Sequence, residues 1–144
     1  MGTKRGFTLV EILIVVIILG ILAAIVIPQF TNASTDARNN STASTLQTIR
    51  SQIELFKIQH ADTPPASTAL WSVLGGKTNI GDTSAAVATG TLGPYVQSTP
   101  VNPVNGQSTF TTSAAAGYGW LFTTSGNLYT FQALNTTGTG VLTY

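Results

Sequence analysis

The sequence predicts an α+β protein in which one long N-terminal helix, transmembrane at first and amphipathic later, packs on a small antiparallel β-sheet head. Three observations support this fold class. Residues 7–27 are almost uniformly apolar, and residues 46–58 carry apolar side chains at spacings of three and four. Those spacings place side chains on one face of a helix. Residues 120–133 alternate with a period of two around a Ser-Gly-Asn turn, which is typical of a β-hairpin.

The apolar run is long enough to cross a membrane, because a helix over these residues would be about 30 Å long. Lys4 and Arg5 precede it, and no comparable basic cluster follows directly. The positive-inside rule therefore places the N-terminus in the cytoplasm and the rest of the chain on the other side. The alternative is a secretory signal peptide cleaved after Thr31-Asn32-Ala33. The run is longer than the usual apolar region of such peptides, which is about 7–15 residues.

Glu11 is the one carboxylate inside the apolar run. An ionised side chain at mid-membrane costs about 3 kcal/mol on insertion scales, so such a residue is a functional candidate. If the bond between Gly6 and Phe7 is cut, Phe7 carries a free ammonium four residues before Glu11. Two offset subunits could then pair ammonium with carboxylate, and the weakly screened pair would set their register. The alternative is that Glu11 binds the N-terminus of its own helix, where the dipole favours an acid.

The segment KRGFTLVEILIVVIILGILAAIVIPQF resembles the N-terminal signal of type IV pilins and type II secretion pseudopilins. Members of that family have a basic leader ending in Gly, then Phe, then Thr-Leu-x-Glu and an apolar helix that ends in Pro. The resemblance implies that a membrane prepilin peptidase cleaves between Gly6 and Phe7 and that Phe7 becomes N-methylated. The pairing of charges described above assigns Phe7 and Glu11 to assembly. The matching residues are Gly6, Phe7, Thr8, Leu9, Glu11 and Pro28.

The later segments LQTIRSQIELFKIQHADTPP, LWSVL, GPYVQSTPVNP and YGWLF are similar to the major pseudopilin of type II secretion. This resemblance implies a structural subunit that polymerises through its N-terminal helix and supports protein export across the outer membrane. It implies an inner-membrane assembly platform and minor pseudopilins as partners, a single span in the inner membrane and a head in the periplasm. The alternative is the major subunit of a type IV pilus, a surface filament for adhesion, motility or DNA uptake.

Pro28 lacks the N–H that would bond Ala24, so we expect a helix kink there. The alternative is a helix that ends at Pro28. Residues 31–42 are rich in Ser, Thr and Asn, which form helices poorly and could break this one. We expect Leu55 and Ile58 to widen the buried face of the second half. The predicted segments are a leader at 1–6, a transmembrane and filament-core helix at 7–28, an amphipathic continuation at 29–60 and a globular head at 61–144.

Within the head, Pro64 and Pro65 end the long helix, and Ser67 is expected to cap a short helix in STALWSVLGG. Trp120 is expected on the buried face of the hairpin, packed against the amphipathic helix. The tail NTTGTGVLTY is expected to add a short strand or edge.

The composition argues against several functions. Charged residues make up 8% of the chain and the net charge is +1, which gives no electrostatic footprint for nucleic acid. With no cysteine and no catalytic constellation, we expect no enzyme. We expect the one histidine, His60, to contact the end of the long helix rather than a metal. The pseudopilin resemblance implies calcium near the C-terminus, but no acid follows Asp82 and Asn135 would bind only weakly, so we expect neither metal nor cofactor.

Overall fold

The computed structural model describes residues 6–143. Within this range, two helices and three strands follow one another as α1 Leu9–Gln59, α2 Leu70–Gly75, β1 Phe110–Thr111, β2 Trp120–Ser125 and β3 Leu128–Ala133. The chain forms two compact units, Met1–Ala37 and Arg38–Tyr144. The second unit, which contains the later part of α1 and all the other elements, is called the head below.

α1 runs through Pro28 without interruption, so the alternatives of a helix end at Pro28 and of a break within 31–42 are wrong. Threonine hydroxyls of the polar segment bond backbone carbonyls of the same helix. Thr31 Oγ1 donates to the Ile27 carbonyl at 3.1 Å, and Thr35 Oγ1 donates to the Thr31 carbonyl at 3.0 Å. Each hydroxyl thus finds its acceptor one turn earlier in the helix and needs no turn outside it. The kink at Pro28 stays a prediction.

One face of the second half of α1 forms a wall of the core of the head. The side chains on this face are at most 4% exposed, namely Leu46, Ile49, Ile53 and Phe56. The prediction of a buried helical face is therefore confirmed. The prediction that Leu55 and Ile58 widen it is wrong, because they are 42% and 78% exposed. Successive residues of a helix are about 100° apart, so these two lie outside the arc that the rest of the head covers.

β2 and β3 form the predicted hairpin, with an antiparallel register from Trp120↔Ala133 to Ser125↔Leu128. Gly126 adopts a φ of 57° in the two-residue connection. Glycine takes such a positive φ without the steric cost that a Cβ would add, so the turn is encoded locally.

β1 pairs with β2 in parallel, so the three-stranded sheet is mixed and the prediction of an antiparallel sheet is wrong. The loop over 112–119 carries the chain back to the end of the sheet where β1 began. Gly117, at a φ of 86°, helps it to turn. The C-terminal tail, expected to add a short strand or edge, forms the isolated bridge Leu134↔Val141 directly after β3.

α2 begins two residues later than a cap at Ser67 would place it, and that predicted cap is wrong. The residue before the helix is Ala69, which has no side-chain cap. A backbone turn closed from Ala69 N–H to the Ala66 carbonyl at 2.9 Å occupies this position instead. One side of α2 belongs to the core of the head, because Leu70, Val73 and Leu74 are fully buried.

Trp120 is fully buried in the core of the head, as predicted. Its ring stacks on Phe131 with the ring centroids 5.3 Å apart and 21° between the planes. Its indole N–H donates to the Pro100 carbonyl at 2.9 Å. The side chain therefore supplies apolar packing and also anchors the proline-rich loop that precedes β1.

The same loop is held by the buried side chain of Asn102. Its Nδ2 donates to the carbonyls of Gly119 and Leu134 at 2.8 and 2.9 Å. Its Oδ1 accepts from the Val104 N–H at 2.9 Å. One amide thus ties the loop to both strands at the open end of the hairpin. Asn105 makes a similar pair of bonds one residue farther from the hairpin, where its Nδ2 donates to the carbonyls of Tyr118 and Asn135.

We expect Trp120→Ala to lower the free energy of unfolding by about 3–5 kcal/mol, the usual cost of deleting a large buried ring. That loss is a large part of a small domain's stability. Thermal melting of the full chain in detergent, followed by circular dichroism, measures it. The matched control is Leu128→Ala, because Leu128 is 74% exposed and the change should stay within about 0.5 kcal/mol. Equal melting of Trp120→Ala and the parent would contradict the core position.

Candidate functional site

The residues that precede α1 carry the predicted processing site. Gly6 and Phe7 are both exposed, Phe7 to 83%. They lie before Leu9, the first residue of the helix. A Cβ built on Gly6 would meet no atom of residues 6–143 within 4 Å. The fold of the described residues leaves room for a Cβ here, so it does not itself require glycine at residue 6.

Thr8 and Glu11 form a reciprocal cap at the start of α1. Glu11 Oε2 accepts from the Thr8 N–H at 2.8 Å and from the Thr8 hydroxyl at 2.7 Å. In return, Thr8 Oγ1 accepts from the Glu11 N–H at 3.3 Å. This arrangement is a capping box, in which two residues three apart satisfy backbone donors at a helix N-terminus. The Thr-x-x-Glu spacing is its signal in the sequence.

Both bonds to the Glu11 carboxylate end on Oε2, and no donor within residues 6–143 reaches Oε1. The contact with its own helix, which the sequence left as the alternative, is therefore present in the single chain. This contact involves only Oε2 of the Glu11 carboxylate. Pairing of Glu11 with Phe7 of another subunit stays a prediction, and so do the cleavage and methylation at Gly6 and Phe7.

The helix from Leu9 to Ile27 exposes apolar side chains in every direction. Its large apolar residues are 52–81% exposed. α1 is long and apolar enough to cross a membrane, judged by length and composition. Burying one such side chain stabilises by about 1.5–3 kcal/mol. A surface of this kind needs lipid or other protein chains to cover it.

His60 follows α1 directly and is buried. Its Nδ1 donates to the Phe56 carbonyl at 2.8 Å, which confirms the predicted contact with the helix C-terminus. Its Nε2 lies 3.0 Å from Thr78 Oγ1, and its ring stacks on Phe56 with centroids 3.7 Å apart. Both ring nitrogens are engaged, so His60 ties the end of α1 to the loop that follows α2.

Burial raises the pKa of the phenols of Tyr95 and Tyr129 above the ordinary tyrosine value, and for Tyr129 the Glu54 carboxylate adds to the effect. Tyr95 donates to Gln59 Oε1 at 2.7 Å, and Tyr129 donates to the Arg50 carbonyl at 3.3 Å. Both phenols are neutral donors near pH 7. Acid–base catalysis favours a pKa near the working pH, so both tyrosines fit a structural role.

The loop over 135–140, where the pseudopilin resemblance implies calcium, is closed by Asn135. Its Oδ1 accepts from Thr137 Oγ1 at 2.9 Å and from the Gly140 N–H at 3.3 Å. Its carbonyl accepts from Asn105 Nδ2 at 3.1 Å. These oxygens are neutral and already hydrogen-bonded, whereas calcium prefers charged oxygen ligands. Within residues 6–143, no three His, Cys, Asp or Glu side chains come together. The residues present therefore fit a calcium ion poorly.

Comparison with known proteins gives an independent result. Residues 1–27 match the family described as "Prokaryotic N-terminal methylation motif". The type II secretion system core protein G of Dickeya chrysanthemi is 31% identical over 71 residues, which cover 49% of this chain and 46% of that protein. The protein of the same name from Pseudomonas aeruginosa is 34% identical over 67 residues, which cover 46% of this chain and 47% of that protein. The type IV major fimbrial protein FimA of Dichelobacter nodosus is 36% identical over 93 residues, which cover 62% of this chain and 59% of that protein.

The chain spans about half the length of the secretion proteins it matches. No solved structure matches it. The resemblance inferred from the N-terminal segment is confirmed. Residues 1–27 match the N-terminal methylation motif, and the chain is similar to proteins named type II secretion system core protein G. The fold class is confirmed as well, with the mixed sheet as a correction.

We expect Asn135→Ala to lower the melting temperature of the head, whereas chelation of calcium with EDTA leaves it unchanged. The substitution removes two hydrogen bonds to Oδ1, each of which contributes about 1 kcal/mol. A loss of 1 kcal/mol corresponds to a drop of roughly 4–8 °C for a domain of this size. Thr136→Ala, at an exposed position of the same loop, is the matched control. A large drop on adding EDTA to the parent would show that calcium is bound.

Proposed function

We propose that this chain is the structural subunit of a type II secretion pseudopilus. Subunits polymerise through the apolar part of α1 into a filament that supports protein export across the outer membrane. One observation carries the proposal: the processing motif at Gly6–Phe7 directly precedes a helix whose apolar surface is exposed on every side. The similarity to proteins named type II secretion system core protein G supports it.

An all-round apolar helix has two stable environments, which are a bilayer and a bundle of similar helices. In the proposal, the bilayer covers this part of α1 before assembly, and the same part of other copies covers it in the filament. A soluble amphipathic helix would instead show a single apolar stripe. Exposure in every direction between Leu9 and Ile27 suits a helix that contacts several neighbours at once.

Glu11 sets the register of this filament in the proposal. In the single chain, Thr8 holds Oε2 of the carboxylate, which lowers the cost of placing Glu11 in the membrane. After cleavage, the Phe7 amine becomes a cation and can bond Oε1 of Glu11 in a neighbouring subunit. A charge-assisted hydrogen bond is roughly twice as strong as a neutral one. The bond between the two subunits is therefore strong enough to favour one register.

The proposal places the leader, residues 1–6, in the cytoplasm, one span in the inner membrane and the head in the periplasm. A prepilin peptidase cuts after Gly6, and Phe7 is methylated on its new amine. The inner-membrane assembly platform and minor pseudopilins are the further partners. The methylation motif over residues 1–27 and the candidate span in α1 support this arrangement.

A type IV pilus major subunit is the second candidate, and the similarity to the fimbrial protein of Dichelobacter nodosus favours it. Both candidates share the processing, the span and the filament. The neighbouring genes separate them. A secretion ATPase, an outer-membrane secretin and minor pseudopilins would support the pseudopilus, whereas a retraction ATPase and an adhesin would support the pilus.

We expect the mature protein to begin at Phe7 and Gly6→Leu to remain uncleaved. Because a Cβ at residue 6 meets no atom of residues 6–143 within 4 Å, loss of cleavage would report the requirement of the peptidase and not misfolding. Mass spectrometry of the N-terminus measures this, and Gly2→Ala within the leader is the control that should still be cleaved. A mature start near Ser34 would indicate an ordinary signal peptide and contradict the filament proposal.

We expect Glu11→Ala and Glu11→Gln to insert and be cleaved but to fail in assembly, because the neighbouring Phe7 ammonium loses its anion. Glu11→Asp keeps the charge with a shorter reach and should be intermediate. Filament yield after shearing, with cleavage followed in parallel, measures the effect.

Thr8→Ala separates the two roles of Glu11. It removes the cap, at a cost of about 0.5–2 kcal/mol, but leaves the carboxylate in place, so we expect it to assemble. Glu11→Gln retains an oxygen that the Thr8 N–H can bond but lacks the charge. Normal assembly of Glu11→Gln together with failure of Thr8→Ala would show that Glu11 acts only as a helix cap.

A further inference from the structure

The outer edge of β3 presents backbone groups at every second residue. In an antiparallel pair, residues bonded to the partner strand alternate with residues whose N–H and C=O point away from it. The Leu134 N–H bonds the Gly119 carbonyl across the hairpin. The register of β2 and β3 then directs Thr130 and Gln132 towards β2 as well. The residues that point outward are Tyr129, Phe131 and Ala133.

Two groups cover part of this edge. The Ala133 carbonyl accepts from the Leu142 N–H at 2.8 Å. The Phe131 carbonyl accepts two bonds from Arg50 of α1, from Nε at 3.1 Å and from Nη2 at 2.7 Å. Within residues 6–143, no partner reaches the backbone N–H or C=O of Tyr129. Arg50 and the tail therefore close the edge at Phe131 and Ala133, whereas the edge is open at Tyr129.

Charged side chains of α1 stand beside the open part. A groove of about 370 Å³ runs between α1 and β3, and its charged lining consists of Arg50, Glu54 and Lys57. Lys57 lies 3.8 Å from Glu54 and 3.4 Å from Asp62. Charges placed next to an unpaired strand are a recurrent means of preventing pairing with another chain.

The strand itself has the composition of a segment that pairs with copies of itself. Residues 128–134 read LYTFQAL and contain no charge, proline or glycine, which is the signature of segments that stack as cross-β structure. The outward groups are also self-complementary. In an antiparallel pairing centred on Thr130, Tyr129 of each copy lies opposite Phe131 of the other, and both residues offer an N–H and a C=O.

We propose that the outer edge of β3 is a docking surface for the same strand of a second copy, and that Arg50 keeps it closed. Arg50 holds the Phe131 carbonyl, which the second strand would need. When Arg50 is withdrawn, each Tyr129–Phe131 pair exchanges two hydrogen bonds, and two three-stranded sheets join across the edge. This surface is formed by other residues than the apolar part of α1 between Leu9 and Ile27, so the proposal does not depend on the proposed filament.

A single cysteine tests this arrangement, because the parent chain contains none. In the proposed pairing, the two copies of residue 130 lie opposite each other with Cβ atoms about 4.5–5.5 Å apart, close enough for a disulfide after a small shift. The full chain carrying Thr130→Cys is oxidised in detergent micelles with and without Arg50→Ala, and dimers are counted on non-reducing gels. We expect on the order of tenfold more dimer with Arg50→Ala, the effect of removing a charge-assisted bond that competes for the carbonyl.

Matched variants separate docking from unfolding. Thr112→Cys puts the thiol at an exposed position of the loop after β1 and should not respond to Arg50→Ala. Arg38→Ala removes the same charge from an exposed position of α1 and should not raise the yield at residue 130. Arg50→Lys keeps the charge with a poorer fit to the carbonyl and should be intermediate. The proposal would be overturned if Arg50→Ala raised the dimer yield equally for Thr112→Cys and Thr130→Cys. It would also be overturned if Arg50→Ala did not raise the dimer yield of Thr130→Cys.

Discussion

The head depends on the burial of one face of α1. Ile53 and Phe56 are completely buried in the same core as Trp120 and Phe131. The other elements could not persist alone, because an isolated hairpin is marginally stable in water and α2, with six residues, is far below the length of an independently stable helix. The polar contacts are arranged around this wall. Arg50 and Gln59 of α1 and His60, which follows it, reach the Phe131 carbonyl, the Tyr95 hydroxyl and the Thr78 hydroxyl. These contacts tie β3 and the loop after α2 to the same helix.

α1 combines two kinds of surface in one continuous helix. Its first part is apolar in every direction, and its second part is apolar on the face that the head covers. The first part can be buried only by lipid or other chains, whereas the apolar face of the second part is buried by the rest of the head. The capping box of Thr8 and Glu11 belongs to the first part. It satisfies backbone donors at the helix start that would be costly in a membrane without partners.

The features that were predictable from sequence are those encoded by local periodicity. The apolar run, the face through Ile49 and Ile53 and the hairpin around Gly126 all follow from spacing. The parallel pairing of β1 was not predictable, because two residues carry no periodic signal and their partner is set by the loop that follows. The ties made by Asn102 were missed for a similar reason. An asparagine in a proline-rich loop looks like a turn residue until the carbonyls of two distant strands meet its amide.

The ties that hold the loops of the head have a consequence for its behaviour in salt. Asn102 and Asn105 bind carbonyls through neutral amides, and His60 binds the helix end and a hydroxyl. Within residues 6–143, no buried side-chain nitrogen or oxygen lacks a partner. Dissolved ions screen interactions between exposed charges and leave neutral buried hydrogen bonds almost untouched. We therefore expect the loops held in this way to keep their positions across wide changes in ionic strength.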